Sequence, residues 1–317
     1  MTPRRILVTG AGGFVAGHML PLLGAAFPAA ELVLMGGAGA KVDLADAGAI
    51  EGFVAGVAPD ACVHLAGVTA VPAANADPDG AWRVNLLGTL ALARAVQKAR
   101  ADAVLLFASS AEIYGRSFAA GVKLDETGLP APMNTYAATK AAADLALGAM
   151  TATGLRVVRM RPFNHTGPGQ SASFVVPAFA RQVARIAAGL QEPRMLVGAL
   201  DPLRDFLDVR DVCAAYVAAL ARADGLAPGA IFNIASGTPR RIGDILADLL
   251  RLAGVEAEVS TGTTLLRRAE ILLACGDAGA ARAVLGWAPA IGWEQTLGDV
   301  LGDWRVRVAD AGRGALA

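Results

Sequence analysis

The chain has 317 residues, 55% of them apolar, and its 28 basic and 28 acidic side chains give a formal net charge of zero. Such a chain can bury one large core or two modest ones, which excludes a disordered protein or a small disulfide scaffold. Lys and Arg are scattered, so nucleic acid is not an expected partner. Cys62, Cys213 and Cys275 lack metal-ligand spacing, so we expect buried thiols, a reducing compartment and no metal site.

The first apolar stretch superficially resembles a secretory signal, because Arg4 and Arg5 precede an uncharged run from residue 6 to residue 30. Several glycines, Pro21, Pro28 and His18 interrupt this run. They prevent a continuous apolar helix of the ~20 residues that a membrane span needs. We therefore expect a cytoplasmic protein with no membrane partner.

Short apolar runs alternate with longer amphipathic ones through the first half of the chain, a pattern typical of strand, helix, strand units around a parallel sheet. Strands are predicted at Arg5 to Thr9, Glu31 to Met35, Ala61 to Leu65, Val104 to Ala108 and Arg156 to Arg161. Helices are predicted at Gly13 to Ala25, Ala45 to Gly56, Ala81 to Ala99 and Ala137 to Met150. The expected fold class is α/β, with a doubly wound parallel sheet.

The pattern loosens after Pro162. Residues 164–173 are rich in Gly and Pro, a helix is predicted through Ala188, and later elements are more widely spaced, which favours a smaller α/β substrate-binding lobe. Ile231 to Ala235 still predicts a sheet strand and Ile242 to Ala253 a helix. We expect a dinucleotide-binding domain at residues 1–163 that also receives about 205–236, with the substrate-binding lobe formed mainly by 164–204 and 237–317.

A glycine-rich segment, residues 9–17, follows the first strand and opens the first helix. In this context Gly10 permits the tight turn, Gly13 lets a pyrophosphate approach the backbone, and Ala16 allows close packing of the helix on the sheet. Glycine-rich turns also occur for steric reasons alone. The position between strand and helix favours dinucleotide binding over a structural turn.

The end of the second strand bears on the choice of cofactor. Met35 is followed by Gly36 and Gly37, without the acidic residue that accepts the ribose hydroxyl bonds of NAD. Lys41 lies nearby and can meet a 2′-phosphate, although it can equally be a solvated surface charge. The pattern favours NADPH, with NADH possible. Asp43 is placed to accept from the adenine amino group, or alternatively to cap a helix.

Tyr136 and Lys140 lie four residues apart on one face of a predicted helix. A cation beside a tyrosine favours the phenolate, so we expect a lowered Tyr136 pKa and proton exchange with an alcohol or ketone. Ser109 and Ser110 end the fourth strand, where a hydroxyl can bind the same substrate oxygen.

Together these features resemble the extended short-chain dehydrogenase/reductase family, in its sugar-nucleotide branch, across essentially the whole chain. The resemblance implies a Rossmann-type fold and a catalytic Ser110, in the segment Ser-Ala-Glu-Ile-Tyr-Gly, with Tyr136 and Lys140. His64-Leu65-Ala66-Gly67 and residues 85–89 match two further landmarks, and we interpret His64 as a buried structural histidine. The cofactor-binding residues implied are Gly10, Gly13, Phe14, Val15, Asp43, Leu44, Leu65, Ala66, Gly67, Tyr136 and Lys140.

Within this branch, residues 161–170, 174–177 and 179–182 are similar to those of GDP-4-dehydro-6-deoxy-D-mannose reductases and, more distantly, GDP-mannose 4,6-dehydratases. Asn164 is then expected to donate to the sugar diphosphate, although it can also satisfy loop backbone. Arg204 and Arg267 stand where the family places arginines against that diphosphate. The substrate-binding residues implied are Ser110, Glu112, Asn164, Val175, Arg181, Arg204 and Arg267.

Two residues depart from the reductase pattern. Arg268 replaces a usual proline, and Ala199 replaces the asparagine of a Gly-Asn-Leu segment, which weakens the inference that the base is guanine. The stretch from Asp208 to Asp211 and the tryptophans Trp287, Trp293 and Trp304 are interpreted as packing and salt-bridged surface.

The leading hypothesis is an oxidoreductase that reduces the C4 ketone of GDP-4-dehydro-6-deoxy-D-mannose to give GDP-D-rhamnose. The alternatives are a 4,6-dehydratase or 4-epimerase with tightly bound NAD(P), and a nucleotide-sensing protein without catalysis. Similar dehydratases carry a polar residue and a glutamate directly after the catalytic Ser or Thr. Here Glu112 is present but its neighbour is Ala111, which favours reduction. The resemblance also implies a homodimer.

Overall fold

The computed structural model describes residues 2–262 and 271–314. Its strands are β1 Arg5–Thr9, β2 Glu31–Met35, β3 Ala61–His64, β4 Val104–Ala108, β5 Arg156–Pro162, β6 Asn164–Thr166, β7 Arg194–Val197, β8 Leu203–Asp208, β9 Ile231–Ile234, β10 Pro239–Arg241, β11 Glu258–Thr261 and β12 Leu273–Ala274.

The α-helices surround these strands and carry their own numbering. They are α1 Phe14–Ala26, α2 Ala47–Val57, α3 Val71–Ala76, α4 Pro78–Trp82, α5 Thr89–Ala99, α6 Thr135–Met150, α7 Val175–Ala187, α8 Val209–Ala221, α9 Ile242–Ala253, α10 Gly279–Leu285 and α11 Trp293–Gly314. A π-helical segment spans Arg83–Gly88, and 3₁₀ segments span Ala111–Ala120, Thr151–Thr153 and Ala223–Gly225.

A six-stranded parallel sheet in the order β2-β1-β3-β4-β5-β9 forms the centre of the molecule. Successive side chains along its strands point alternately into two buried apolar clusters, one on each face of the sheet. Ile6 and Val8 face α1 and α8, whereas Leu7 faces α2 and α5. Burial on both faces is the condition under which parallel strands form, and the Rossmann-type doubly wound prediction is confirmed. The strand order reverses between β1 and β3, where such sheets bind ligands.

The predicted helix from Ala81 to Ala99 is replaced by three segments. Helix α4 passes into the π-helical segment, and α5 begins only at Thr89. Asn85 explains the irregularity, because its side chain exchanges hydrogen bonds with the Val68 backbone at 2.8 and 2.9 Å and donates to Thr139 Oγ1 at 3.0 Å. These buried partners compete with regular helix geometry.

A second region carries short strands. The sheet β10-β8-β12 also pairs β8 with β6, and β7 pairs with β11 in a separate ribbon. Strand β6 lies in the segment predicted as a Gly/Pro-rich loop. Helices α7, α9 and α11 cover these strands around one apolar cluster that includes Phe179, Met195 and Leu246. Strand β9 joins the large sheet, and strand β8 joins the small one. The predicted domain boundaries stay a prediction.

All three cysteines are buried and free, as expected. Among the described residues, no helix combines the length and the apolar character needed to cross a bilayer.

Candidate active site

A cleft of about 1140 Å³ opens at the carboxyl ends of β1 and β3. It exceeds the usual size of a pocket for one small molecule. The sequence-predicted residues that line it are Gly10, Gly13, Phe14, Val15, Leu65, Ala66, Gly67, Ser110, Glu112, Tyr136, Lys140, Asn164 and Val175. The structure therefore brings most of the predicted cofactor residues into one cavity with the predicted catalytic residues.

The glycine-rich turn forms one end of the cleft. Gly10 has a φ of 69°, and a Cβ there would lie 2.8 Å from the Ala66 nitrogen. Gly13 donates to the Gly10 carbonyl at 2.8 Å, and α1 begins at Phe14 without a side-chain cap. The first N–H groups of this helix are thus available to an anion at the cleft, as a pyrophosphate site requires.

The turn after β2 packs against the glycine-rich turn. Gly37 has a φ of 60°, and a Cβ there would lie 2.7 Å from the Gly12 Cα. Gly36 has a φ of 94°. Both positions therefore resist a residue with a side chain, including the carboxylate expected of an NAD-preferring site. Lys41 follows this turn and is exposed.

Asp43 and Leu44 do not line the cleft. Asp43 accepts a hydrogen bond from the Ala45 N–H at 2.9 Å, and the alternative that Asp43 caps a helix is wrong, because Asp46 caps α2. Leu44 is buried within the apolar cluster under α2 and α5. The contacts of both residues with a cofactor stay predictions.

His64 has the structural role expected from the sequence. Its ring is buried and hydrogen-bonded to Thr9 Oγ1 at 2.7 Å and Thr89 Oγ1 at 2.9 Å. Burial lowers the pKa of His64 to about 3, and the Lys140 charge lowers it further. A neutral ring with both nitrogens engaged is unsuited to acid–base work.

Helix α6 presents Tyr136 and Lys140 to the cleft. Asn134 caps this helix by accepting from the Ala137 N–H at 2.8 Å. Ser110, at the end of β4, lies close enough to Tyr136 to affect its pKa. Lys140 donates to the Ala108 carbonyl, and its ammonium lies 4.3 Å from the centre of the Phe107 ring.

The expected lowering of the Tyr136 pKa is wrong for this structure. Removal from water is the main cause of a rise in the Tyr136 pKa to about 12; the interaction with Ser110 lowers this pKa, and the Glu112 charge adds to the rise. Burial lowers the pKa of Lys140 to about 7, against the raising effect of Asp144. Because the ammonium is partly neutralised and bonded to Ala108, it does not offset the desolvation of the phenol. Tyr136 is therefore held as a neutral phenol, the form that donates a proton.

Glu112 stands at the cleft wall beside Ser110, the predicted catalytic serine. Desolvation raises the pKa of this carboxyl, while the Arg204 charge and a hydrogen bond with Asn134 lower it. Its neighbour Ala111 also lines the cleft and offers only a methyl group. One titratable group, rather than two, therefore follows Ser110 in the cavity.

The predicted arginines are not brought together in the cleft wall. Arg204 donates to the carbonyls of Leu203 at 2.8 Å and Ile271 at 3.1 Å, close enough to Glu112 for their charges to interact. Arg181 lies on the exposed face of α7. Arg267 lies outside the described residues.

Asp208 forms the predicted salt bridge, with Arg210 at 2.7 Å, but the predicted surface position of Asp208 and Asp211 is wrong. Both are buried, because they satisfy backbone and side-chain donors inside the second region. Asp208 caps α8 and accepts from Thr296 Oγ1 at 2.9 Å. Asp211 accepts from the N–H groups of Ala290 and Ile291, both at 3.1 Å. These carboxylates tie α8 to the chain around the start of α11.

Sequence reasoning missed one wall of the cleft, formed by residues 69–72 at the start of α3, and the contribution of Phe206 on β8. The proline at position 72 was an available signal, since proline favours the first turn of a helix. No local pattern marks Phe206, which the pairing of β8 with β6 places beside Asn164.

Comparison with known proteins places the chain in a family. The model of the NAD dependent epimerase/dehydratase family matches residues 6–235. The chain belongs to this family. It is 38% identical over 308 residues to the GDP-6-deoxy-D-mannose reductase of Pseudomonas aeruginosa, covering 97% of this chain and 99% of the relative.

Two further relatives extend the comparison. The solved structure of RMD from Pseudomonas aeruginosa complexed with NADPH has a TM-score of 0.85 and 37% identity, covering 96% of this chain and 99% of that one. The GDP-6-deoxy-D-talose 4-dehydrogenase of Aggregatibacter actinomycetemcomitans is 28% identical, over 89% of this chain and 91% of the relative. The family resemblance drawn from the sequence is confirmed.

Proposed function

We propose that the protein is an NADPH-dependent oxidoreductase that reduces the C4 ketone of GDP-4-dehydro-6-deoxy-D-mannose to give GDP-D-rhamnose. The observation that carries this proposal is that Ser110, Tyr136 and Lys140 share one cleft with the glycine-rich turn, with Tyr136 held as a neutral phenol. The near full-length similarity to a GDP-6-deoxy-D-mannose reductase supports this substrate over other sugars.

The chain supplies the proton chemistry of the reduction. When bound, the nicotinamide cofactor supplies the hydride for C4. Ser110 orients the ketone oxygen by hydrogen bonding, and Tyr136 delivers a proton to that oxygen as it gains charge. Lys140, one helical turn beyond Tyr136, lines the same cleft, and the phenolate left on Tyr136 regains a proton from water that enters the cleft. Asn164 and Val175 line the path expected for the nucleotide sugar.

NADPH is proposed over NADH on two grounds. Neither glycine after β2 suits a carboxylate, because a side chain at Gly37 would clash with Gly12 and the positive φ of Gly36 strains any residue with a side chain. The RMD structure from Pseudomonas aeruginosa was solved with NADPH, which supports the same cofactor here. Lys41 is the cation proposed to meet the 2′-phosphate.

Reduction is favoured over dehydration by Ala111. Elimination of water across C5 and C6 needs an acid and a base in addition to the group that serves C4. The cleft provides Glu112 but only a methyl group at the preceding position. Glu112 is therefore proposed to bind a substrate hydroxyl rather than to abstract a proton.

The deciding experiment compares two substrates in parallel. Incubation with GDP-4-dehydro-6-deoxy-D-mannose should consume one equivalent of NADPH per product, measured at 340 nm. Nuclear magnetic resonance of the product distinguishes the rhamnose from the talose configuration at C4. GDP-mannose alone should yield no 4-keto sugar. Formation of that sugar without net cofactor consumption would replace the reductase assignment with the dehydratase one.

The identity of the base is tested separately, since Ala199 departs from the pattern of similar reductases. A thermal-shift panel of GDP-, UDP-, dTDP- and CDP-sugars measures selectivity, because a ligand at 100 times its Kd stabilises a protein by ~2.7 kcal/mol. GDP-sugars should give the largest shift. Equal shifts from all four would reject guanine recognition.

We also propose a homodimer in the cytoplasm. Leu87 and Leu145 are 56% and 55% exposed on adjacent helical segments, and Trp82 lies beside them at 37%. A second copy covering this face fits the expected helix-pair interface. The L87E/L145E double variant should elute as a monomer in light-scattering chromatography, whereas a monomeric wild-type protein rejects the dimer.

The buried free thiols support a reducing compartment.

A further inference from the structure

Residues 167–174, which we name the cleft loop, connect β6 to α7. Gln170, Ala172, Ser173 and Phe174 of this loop line the cleft. The loop contains two glycines, and Gly169 has a φ of 92°, which an L-residue adopts only with strain. A loop of this composition loses much conformational freedom when it is held in one position. Its placement rests on the hydrogen bonds of the Gln170 side chain with Thr166 and His165 and on contacts with two helices.

The first such contact comes from the cofactor end of the cleft. His18 on α1 is hydrogen-bonded through Nε2 to the Pro168 carbonyl at 2.8 Å. The Phe14 ring stacks on His165, with centroids 6.4 Å apart and planes 5° from parallel. These contacts hold the start of the cleft loop against the glycine-rich turn, but they do not involve its cleft-lining residues.

The second set of contacts comes from α11. The Gly169 N–H donates to Asp303 Oδ2 at 3.0 Å, and Arg307 Nη1 donates to the Gln170 carbonyl at 3.3 Å. Asp303 and Arg307 also form an ion pair at 3.1 Å, one helical turn apart. The Arg307 guanidinium lies 4.8 Å from the centre of the Trp304 ring. Two charged side chains thus bind consecutive backbone groups of the cleft loop.

We propose that Asp303 and Arg307 are positioning residues for nucleotide-sugar binding. They act through the cleft loop, at a distance from the reacting atoms, and the proposal rests on the proposed reductase function. Hydrogen bonds to charged groups are stronger than neutral ones, and α11 packs on α7 and α9 around the same apolar cluster. The ion pair therefore fixes the cleft loop relative to the start of α7, where Val175 faces the cleft.

The test uses single variants of the full-length protein. Asp303→Ala removes both the backbone acceptor and the ion pair, and Arg307→Ala removes the second donor. Asp303→Asn and Arg307→Lys are conservative variants that retain an acceptor or a donor. Arg305→Ala is the matched control, because Arg305 is an exposed cation on the same helix. Each variant is examined by hydrogen–deuterium exchange of peptides covering residues 166–174 and by steady-state kinetics.

Asp303→Ala and Arg307→Ala should accelerate exchange in the cleft loop and raise the KM for the GDP-sugar about tenfold, with kcat and NADPH affinity changed less than about twofold. The conservative variants should recover part of the KM, and Arg305→Ala should match the wild type. Equal exchange in all variants, or faster exchange with an unchanged KM, overturns the proposal. If the reductase assignment itself is wrong, the wild-type protein will show no turnover. Hydrogen–deuterium exchange then still tests whether Asp303 and Arg307 hold the cleft loop.

Discussion

The six-stranded sheet and the sheet around β8 differ in how regularly their strands follow one another and pair. In the large sheet, β1 to β5 enter in units of strand, helix and strand, and most neighbours are consecutive or nearly so. In the small sheet, β8 pairs in parallel with β6 and β12 and antiparallel with β10, and β9 of the large sheet lies between β8 and β10 along the chain. The proposed cofactor side is therefore built from a repeated parallel unit, and the proposed substrate side from mixed pairings of short strands.

This difference explains which functional residues can be identified from the sequence. The glycines, the turn and the start of α1 that form the cofactor end all lie within one short stretch of sequence. The motif can therefore be recognised together with the strand and helix on either side of it. The substrate end depends on strands of two to six residues, whose pairing no local pattern specifies. Substitutions at the two ends should consequently separate cofactor effects from substrate effects.

The largest expected effect comes from Tyr136→Phe, in the proton-donating group shared by both ends. Loss of the phenol should lower kcat by about 10³-fold or more while cofactor affinity stays nearly intact. Tyr114→Phe is the control, since the Tyr114 hydroxyl is buried against Asn233 and Arg161 outside the cleft. Steady-state kinetics and cofactor titration make the measurement. Activity of Tyr136→Phe within tenfold of the wild type contradicts the assignment.

The fold of the cofactor side was largely predictable. Strands β1, β2 and β4 have the predicted bounds, because each is a short apolar run between turn residues. The helix predicted through Ala81 failed at one point, since Asn85 finds partners on Val68 and Thr139 that periodicity does not reveal. Tertiary contacts, not local propensity, decide that segment.

The next prediction concerns Lys140 and stability. Its folded pKa of about 7 lies below the ordinary value of 10.5, so between these limits the unfolded chain binds more protons than the folded one. Lys140 should therefore contribute a rise of stability with pH across that window, by at most about 1.4 kcal/mol per pH unit, whereas the buried thiols, whose pKa values are raised above the ordinary 9.0, contribute a fall at its upper end. Lys140→Met should remove the rise, measured by urea unfolding between pH 7 and pH 10.

Lys98→Met serves as the control for this pH series. Lys98 is exposed and paired with Glu51, which raises its pKa, so its charge is constant over the same range. The slope of stability against pH should match the wild type in this variant. An unchanged slope in Lys140→Met would mean that the lysine is not the group that titrates.

A smaller effect is expected at the substrate end from Arg204→Lys. The variant loses the planar, forked donor suited to a diphosphate, and the KM for the GDP-sugar should rise about tenfold with NADPH affinity unchanged. Arg194→Lys is the control, because Arg194 forms only an exposed pair with Glu258. An unchanged KM would assign Arg204 to the carbonyls of Leu203 and Ile271 alone.

The candidate site was predictable where residues share one turn or one helix. Tyr136 and Lys140 both line the cleft, because helical spacing places them on one face of α6. Their pKa values were not predictable, since desolvation depends on what packs around α6. Likewise, Phe206 reaches the cleft through the pairing of β8 with β6, and Asp208 and Asp211 are buried by segments near residue 290.

The smallest expected effect is on cofactor choice, at Lys41. The glycine turn after β2 closes through hydrogen bonds from Gly36 to Ala40 and from Ala40 to Leu34, which brings the exposed Lys41 beside the adenosine end of the cleft. Lys41→Glu should raise the KM for NADPH about fivefold and leave the KM for NADH unchanged, because a single exposed charge pair is weak and screened. Raising the salt concentration should shrink the difference between variant and wild type. If both cofactors weaken equally, the lysine does not read the 2′-phosphate, and the preference rests on the glycines alone.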